Sequence, residues 1–273
     1  MADLTRSELV RILASAPAGA KQGVRLSGVD LSELDLSGLN FAYADLTGAA
    51  LHGARLNGAI LLCADLTRAG LERADLSGAH CDDACFERAR LNDATLILTR
   101  ASGADFADAD LVSAALRGFI AERARFKGAD LSGADAGHAN FKQARMMGAQ
   151  LTGADLTAAD FSGAELNEAN LDHASADGAS FANAHLLKAS LIGTGLRFAN
   201  LKEANLSGAL MMNADLAEAQ CNRALLRDCN LTGAMVRKAN FSHASLRGAL
   251  YDEAFVRDGV MHETVLTDGS RTA

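Results

Sequence analysis

Apolar residues recur along this chain with a period of five, a spacing that fits neither an α-helix nor a flat strand. Taking the large apolar position as i, 49 such positions run from Leu26 to Leu266; 29 hold Leu and eight hold Phe, so the site is selected for bulk. Two residues earlier, from Ala44 to Ala254, 39 of 43 positions hold Ala, so this site is selected against bulk. The exceptions are Thr99, Phe119, Thr194 and Cys229, and no insertion shifts the phase. A helix would rotate such residues around all its sides, and a strand would alternate them between faces. A repeated corner solves the problem. Each pentad makes one side of a square, and four pentads make one coil of twenty residues around a filled axis.

Residues twenty apart then stack, and the sequence tests this. One column runs Leu66, Phe86, Phe106, Phe126 and Met146, and its neighbour runs Leu61, Cys81, Ala101, Ala121 and Phe141. Three Phe face three small residues. The roles then reverse, with Phe141, Phe161 and Phe181 following Ala136, Leu156 and Ala176. Close packing on a shared axis demands this exchange of volume. Gly fills i+2 at 18 of 48 positions, as corners with positive φ favour.

Segments such as Ala44-Asp45-Leu46-Thr47-Gly48 and Ala129-Asp130-Leu131-Ser132-Gly133 carry the motif Ala-(Asp/Asn)-Leu-X-X, which resembles the pentapeptide-repeat family. The resemblance covers about nine-tenths of the chain. It implies an all-β solenoid, a right-handed quadrilateral β-helix of about twelve coils, about 55–60 Å long at the usual inter-strand spacing.

The ends differ. Thr5-Arg6-Ser7-Glu8 has capping-box spacing, and Leu9, Val10, Ile12 and Leu13 give an apolar stripe ended by Pro17 and Gly19. The expected organisation is a capping helix and linker over residues 1–20, the β-helix over 21–266 and a disordered tail over 267–273. Val24, Val29, Leu34 and Leu39 replace Ala in the first pentads and suit a wider end coil beneath the helix. At the other end Leu250, Phe255, Val260 and Val265 occupy the normally polar i−1 position. An exposed coil end with apolar i−1 residues points to a homodimer through the C-terminal coils, which hides both edges at once.

Composition narrows the function. The net charge of −8 disfavours direct contact with nucleic-acid phosphates. No apolar run is long enough to span a membrane, no secretion signal opens the chain, and five cysteines without CxxC spacing suit a reducing, cytoplasmic compartment; export as a bacterial effector stays open. No nucleotide-binding, nucleophile-elbow or zinc-protease motif is present, so the chain reads as non-enzymatic, with no cofactor. His80, Cys81, Asp82, Asp83 and Cys85 form the densest group of metal-ligand types, but Cys81 points to the axis and its neighbours point away, so no metal site is assigned.

Two surface features remain as candidate interaction sites. Asp130, Asp135, Asp155, Asp160, Glu165, Glu168, Asp172 and Asp177 make an acidic band opposed by Lys142 and Arg145, although five of the eight simply occupy i−1. Leu187, Ile192, Leu210 and Met212 are apolar at outward positions, as are the smaller pairs Ile97 with Leu98 and Ile60 with Leu62. The first reading is a rigid protein–protein interaction module or scaffold. The second, implied by the family's quinolone-resistance members, is a DNA-mimicking inhibitor or protector of DNA gyrase, with a type II topoisomerase as protein partner. The arginines Arg88, Arg90, Arg100, Arg123 and Arg125 interrupt the anionic stripe that this second reading needs. A third reading is a secreted effector or a secretion-system accessory protein.

Overall fold

The period-five pattern acts through the backbone first. In a computed structural model of the chain, which describes residues 3–15 and 23–272, almost every i−1 residue forms a parallel bridge to the residue twenty positions on, from Arg25 with Asp45 to Ser245 with Val265. Two compact units result, Met1–Asp135 and Ala136–Ala273. In both, the N–H of most inward residues donates to the carbonyl nineteen residues ahead, as Leu46 does to Asp65 at 2.7 Å and Leu156 to Ser175 at 2.7 Å. The bridging residue donates backwards, as Asp65 does to Ala44 and Asp160 to Ala139, both at 2.9 Å.

Each corner is a four-residue turn closed by the following i−2 N–H, as from Ala49 to the Leu46 carbonyl at 3.0 Å. Its third residue, i+2, is left-handed at every corner from Gly28 to Gly248, and most of these residues are not glycine. Tyr43 sits at φ 60°, Leu98 at 56° and Phe198 at 59°. Left-handed backbone costs a non-glycine residue roughly 1–2 kcal/mol. The N–H of the same residue repairs part of that cost by reaching the next coil, as Tyr43 does to Leu62 at 2.8 Å. The glycine count in the sequence therefore understates how regular the corners are.

The axis is filled as the volume argument requires. In the first unit Phe86, Phe106 and Phe126 stack with ring planes 1° apart and centroids 4.7 and 4.9 Å apart, the spacing of neighbouring strands. Cys81, Ala101 and Ala121 are fully buried beside them. In the second unit Phe141, Phe161 and Phe181 stack at 5.0 Å, with Ala136, Leu156 and Ala176 fully buried alongside. The exceptions at i−2 also find reasons. Phe119 lies edge-on to Phe106 at 5.9 Å. Thr99 and Thr194 are buried and donate their hydroxyls to the carbonyls of Leu76 at 2.6 Å and Leu171 at 2.8 Å. Cys229 directs its thiol to the Leu206 carbonyl in the same register.

At the N-terminal end, α1 spans Arg6–Ser15. The capping box forms: Thr5 donates its N–H and hydroxyl to the Glu8 carboxylate, each at 2.7 Å, and the Glu8 N–H donates to the Thr5 hydroxyl oxygen at 3.3 Å. Leu9 is fully buried, whereas Val10, placed in the apolar stripe from sequence, is exposed. Arg6 donates to the carbonyls of Asp35 and Ser37, and Asp3 exchanges two 2.8 Å bonds with the backbone of Asp30. Pro17 and Gly19, expected to end the helix, lie outside the described residues.

The C-terminal end departs from expectation. A six-residue helix, α2 (Glu253–Asp258), replaces one side of the last full coil without shifting the phase. It turns Phe255 inward, where the ring is 2% exposed and packs on Phe241 and Tyr251, both at 4.9 Å. Phe255 is thus axis filling and not part of an outward apolar end. Residues 267–272, read from sequence as a disordered tail, fold back: Arg271 pairs antiparallel with Val265, and Leu266 and Thr272 donate to the carbonyls of Ser270 and Thr264. The reason is satisfaction of the edge. The tail supplies partners for backbone groups that seven polar residues could not cover by burying apolar area.

The inward assignment has a direct test. Leu156→Lys places an unpaired ammonium on the axis and should cost at least about 4 kcal/mol, enough to unfold a marginal domain. Met147→Lys, at a position 44% exposed, should change stability by less than about 0.5 kcal/mol. Thermal melting of the two variants checks both values.

Candidate protein-interaction site

The eight acidic candidates are mostly occupied in holding the corners. Asp130, Asp155 and Asp160 each accept the N–H two residues on, from Ser132, Thr157 and Ser162, all at 2.9 Å. Asp172 accepts from the Ile192 N–H and Asp177 from the Arg197 N–H, each at 2.9 Å and each one coil away. Asp135 pairs with Arg117 at 3.4 Å, and Asp160 also meets Lys142 at 3.1 Å. Only Glu165 and Glu168 of the eight are exposed. Asp130 and Asp135 belong to the first unit and the other six to the second.

Stacking also breaks up the charge. Within the second unit Asp155 bridges to Ser175, Asp160 to Ser180 and Glu165 to His185, so each is followed in its column by a residue that is not a carboxylate, whereas in the first unit Asp45 bridges to Asp65 and Asp110 to Asp130. In the first unit bases are interleaved with acids: Arg55 meets Asp35 at 2.7 Å, Arg125 meets Asp105 at 3.1 Å and Arg100 meets Asp82 at 3.5 Å. Like charges about 4.8 Å apart repel, and alternation relieves this.

The apolar candidates are placed on the second unit. Leu187 and Leu210 are exposed by 40% and 41%, while Ile192 and Met212 are half-buried. At the end of this unit Leu250 and Val260 project, Val265 is half-buried under the returning tail, and Phe255 is internal. Phe198 and Met235, each 55% exposed, are the most exposed of the outward apolar residues that escaped notice in the sequence. Phe198 occupies an i+2 corner, where residues of many types stand in left-handed backbone. Met235 takes the i−1 place usually held by Asp or Asn, and that substitution was the available signal.

Met235 lies in a groove of about 490 Å³ beneath α2, together with Arg197, Asp215, Ala217, Gly233, Ala234, Val236, Arg237, Asp252, Phe255 and Asp258. The groove exists because α2 replaces an extended side of the coil. Asp252 accepts the Gly233 N–H at 2.8 Å and the Asp258 carbonyl accepts the Lys238 N–H at 2.9 Å, so both ends of the helix are seated on the coil below.

The group of ligand types around Cys81 does not converge. A different set does: Cys85, Glu87 and Asp105 hold their ligand atoms within 4.8 Å of one another. Its members are engaged, Asp105 with Arg125 and the Ala107 N–H, Glu87 with Arg88, and Cys85 with the Thr67 hydroxyl.

Against known protein families, the pentapeptide-repeat profile matches in eight copies over residues 22–58, 64–93, 84–120, 124–163, 164–197, 195–233 and 224–249. The chain belongs to the pentapeptide-repeat family. Pentapeptide-repeat proteins adopt a right-handed quadrilateral β-helix, consistent with the bridges at a separation of twenty. No curated protein matches the chain. Among solved structures it is similar to HetL, a pentapeptide-repeat protein involved in heterocyst differentiation regulation from the cyanobacterium Nostoc sp. strain PCC 7120. The identity is 27%, over 98% of this chain and 100% of that one, with a TM-score of 0.40. A pentapeptide-repeat protein of the Arabidopsis thaliana thylakoid lumen shares 28% identity over 47% of this chain and 78% of its own, with a TM-score of 0.28. QnrB1, a plasmid-mediated fluoroquinolone resistance protein, shares 17% over 82% and 94%, with a TM-score of 0.29.

Among the described residues of this pentapeptide-repeat chain, no helix is long and apolar enough to cross a membrane. The axis also decides thiol chemistry. Burial pushes the Cys221 and Cys229 thiols up to about 12 and raises that of Cys81 further, whereas Cys63 and Cys85 are half-buried. Iodoacetamide at pH 8 should therefore label Cys63 and Cys85 in the native protein and reach Cys81, Cys221 and Cys229 only after unfolding, a difference that peptide mass spectrometry reads.

The corner carboxylates predict the acid response. The Ser37 hydroxyl and N–H, with Arg55, hold Asp35 down to about 2, and the Ser32 N–H lowers Asp30. Thr5 lowers Glu8, and Ser270 lowers Asp268. A carboxylate whose folded pKa lies below its unfolded value stabilises the fold above the unfolded value, near 4. That contribution is lost as pH falls from about 4 towards 2. Urea midpoints should be flat from pH 7 to 5 and drop below pH 4, with Asp35→Asn showing a smaller drop.

Proposed function

We propose that this pentapeptide-repeat chain is a rigid protein–protein interaction module. The observation that carries the reading is the set of outward apolar side chains, Leu187, Leu210, Phe198 and Met235, on walls whose corners are fixed by hydrogen bonds to the next coil. Side chains on such a wall lose little further freedom on binding, which lowers the cost of association. The large axis residues are internal, so the chemistry offered outward is recognition by small patches.

Support for a terminal cap comes from α1, whose Leu9 is buried and whose Arg6 and Asp3 bind the backbone of residues 30–37. Support for self-association through the C-terminal coils is reduced to Leu250 and Val260, since Phe255 faces inward.

A second reading is protection or inhibition of DNA gyrase by DNA mimicry. The net charge of −8 favours it, and QnrB1 is a fluoroquinolone resistance protein. A DNA mimic needs a run of unopposed charge approaching one per about 1.7 Å of duplex. The interleaved pairs Arg55–Asp35, Arg125–Asp105 and Lys142–Asp160 work against such a run.

Two measurements separate these readings. Affinity capture from the native host with wild-type protein and with Leu210→Glu should show at least one protein lost from the variant at unchanged melting temperature. Identical captured sets would count against the interaction patch. A supercoiling assay with DNA gyrase should show no inhibition at micromolar protein, and inhibition there would favour mimicry.

A further inference from the structure

On three sides of the coil below α2, the backbone pairing is complete. Leu226, Leu231 and Phe241 donate upward to the carbonyls of Ser245, Leu250 and Val260 at 2.8, 2.7 and 2.8 Å. The carbonyls of Cys229 and Ala239 accept from Leu250 and Val260, both at 2.8 Å. On the fourth side the same register assigns residue 255 to both roles. The helix has diverted it: the Phe255 N–H donates to the Asp252 carbonyl at 2.9 Å, and the Phe255 carbonyl accepts from Gly259 at 3.2 Å. Among the described residues, the Val236 N–H is therefore left without an acceptor and the Ala234 carbonyl without a donor.

These two groups face one groove, and its charges are unequally engaged. Asp252 is held by the Gly233 N–H, Asp258 by Arg257 at 2.9 Å, and Asp215 by Arg197 at 4.0 Å. Among the described residues, Arg237 lines the groove with no ion-pair partner. Ala217, Met235 and Phe255 supply apolar lining. The seated ends of α2 at Gly233 and Lys238 close the edge on both sides, so a strand cannot run through it; a chain end can enter it.

We propose that this groove binds the C-terminal residue of a partner peptide. The last N–H of the peptide donates to the Ala234 carbonyl. Its terminal carboxylate accepts from the Val236 N–H and faces Arg237, and an apolar last side chain rests on Met235 and Ala217. The ligand thus takes the place in the ladder that residue 255 has left, with a charge-assisted bond in place of a neutral one. The proposal deepens the interaction-module reading and rests on it.

The test uses the full chain labelled with ¹⁵N and the acetylated tetrapeptide Ala-Thr-Ala-Leu, with either a free C-terminal carboxylate or a C-terminal amide. The free acid should move the Val236 amide resonance and bind about tenfold more tightly than the amide. Arg237→Gln, at an exposed position, should remove that preference and leave the melting temperature unchanged. Equal binding of acid and amide, or a preference that survives Arg237→Gln, overturns the proposal. So does an unmoved Val236 resonance at about 10 mM acid peptide, where even weak affinity registers. Val236 protection that grows with protein concentration in the absence of peptide assigns the groove to a second copy and also overturns it. A failed titration alongside loss of a captured partner in Leu210→Glu would leave the interaction module standing without this groove.

Discussion

The fold depends on a single return distance: within each unit the backbone of almost every bridging residue meets that of the residue twenty positions away. In both units the inward residue donates forward and the bridging residue donates back, so each coil edge is satisfied by the next. One buried unpaired amide costs about 1–3 kcal/mol, so a wall of such edges is stable only if nearly every one is matched. That constraint outranks local preference. It holds Leu98 and Phe198 in left-handed backbone, which neither residue favours.

Axis packing is the second layer, and it is coupled to the first. Because coils repeat at strand spacing, identical rings stack face to face at 4.7–5.0 Å, and a bulky column leaves room only for small residues beside it. Polar groups enter the interior only in register. Thr99, Thr194 and Thr264 each bond the carbonyl twenty-three residues back. The same regularity absorbs many surface aspartates into corner hydrogen bonds, so acidic residues in this chain are weak evidence of an anionic binding face.

Irregularity is therefore where the proposed recognition chemistry collects. Among the described residues, the side of a coil that α2 replaces is also where a backbone donor and acceptor face a groove whose Arg237 has no ion pair. Exposed apolar residues elsewhere decorate a completed ladder; here the ladder itself is open.

Much of this was legible in the sequence. The period of five, the exchange of Phe and Ala columns and the Thr5–Glu8 capping box are local or twenty-residue patterns, and each reflects steric volume or a short-range bond that residue type specifies. The alternation of charge between stacked columns could also be read at a separation of twenty. What the tertiary structure decided is of another kind. Phe255 keeps the phase of the array yet turns inward, because a helix of six residues spans the same gap as an extended side. Arg271 and Thr272 are polar and carry no strand signal, but they pair with Val265 and Thr264 because an open edge stands beside them. Residue type fixes which groups prefer the axis; only the assembled coil fixes which backbone groups are left without a neighbour.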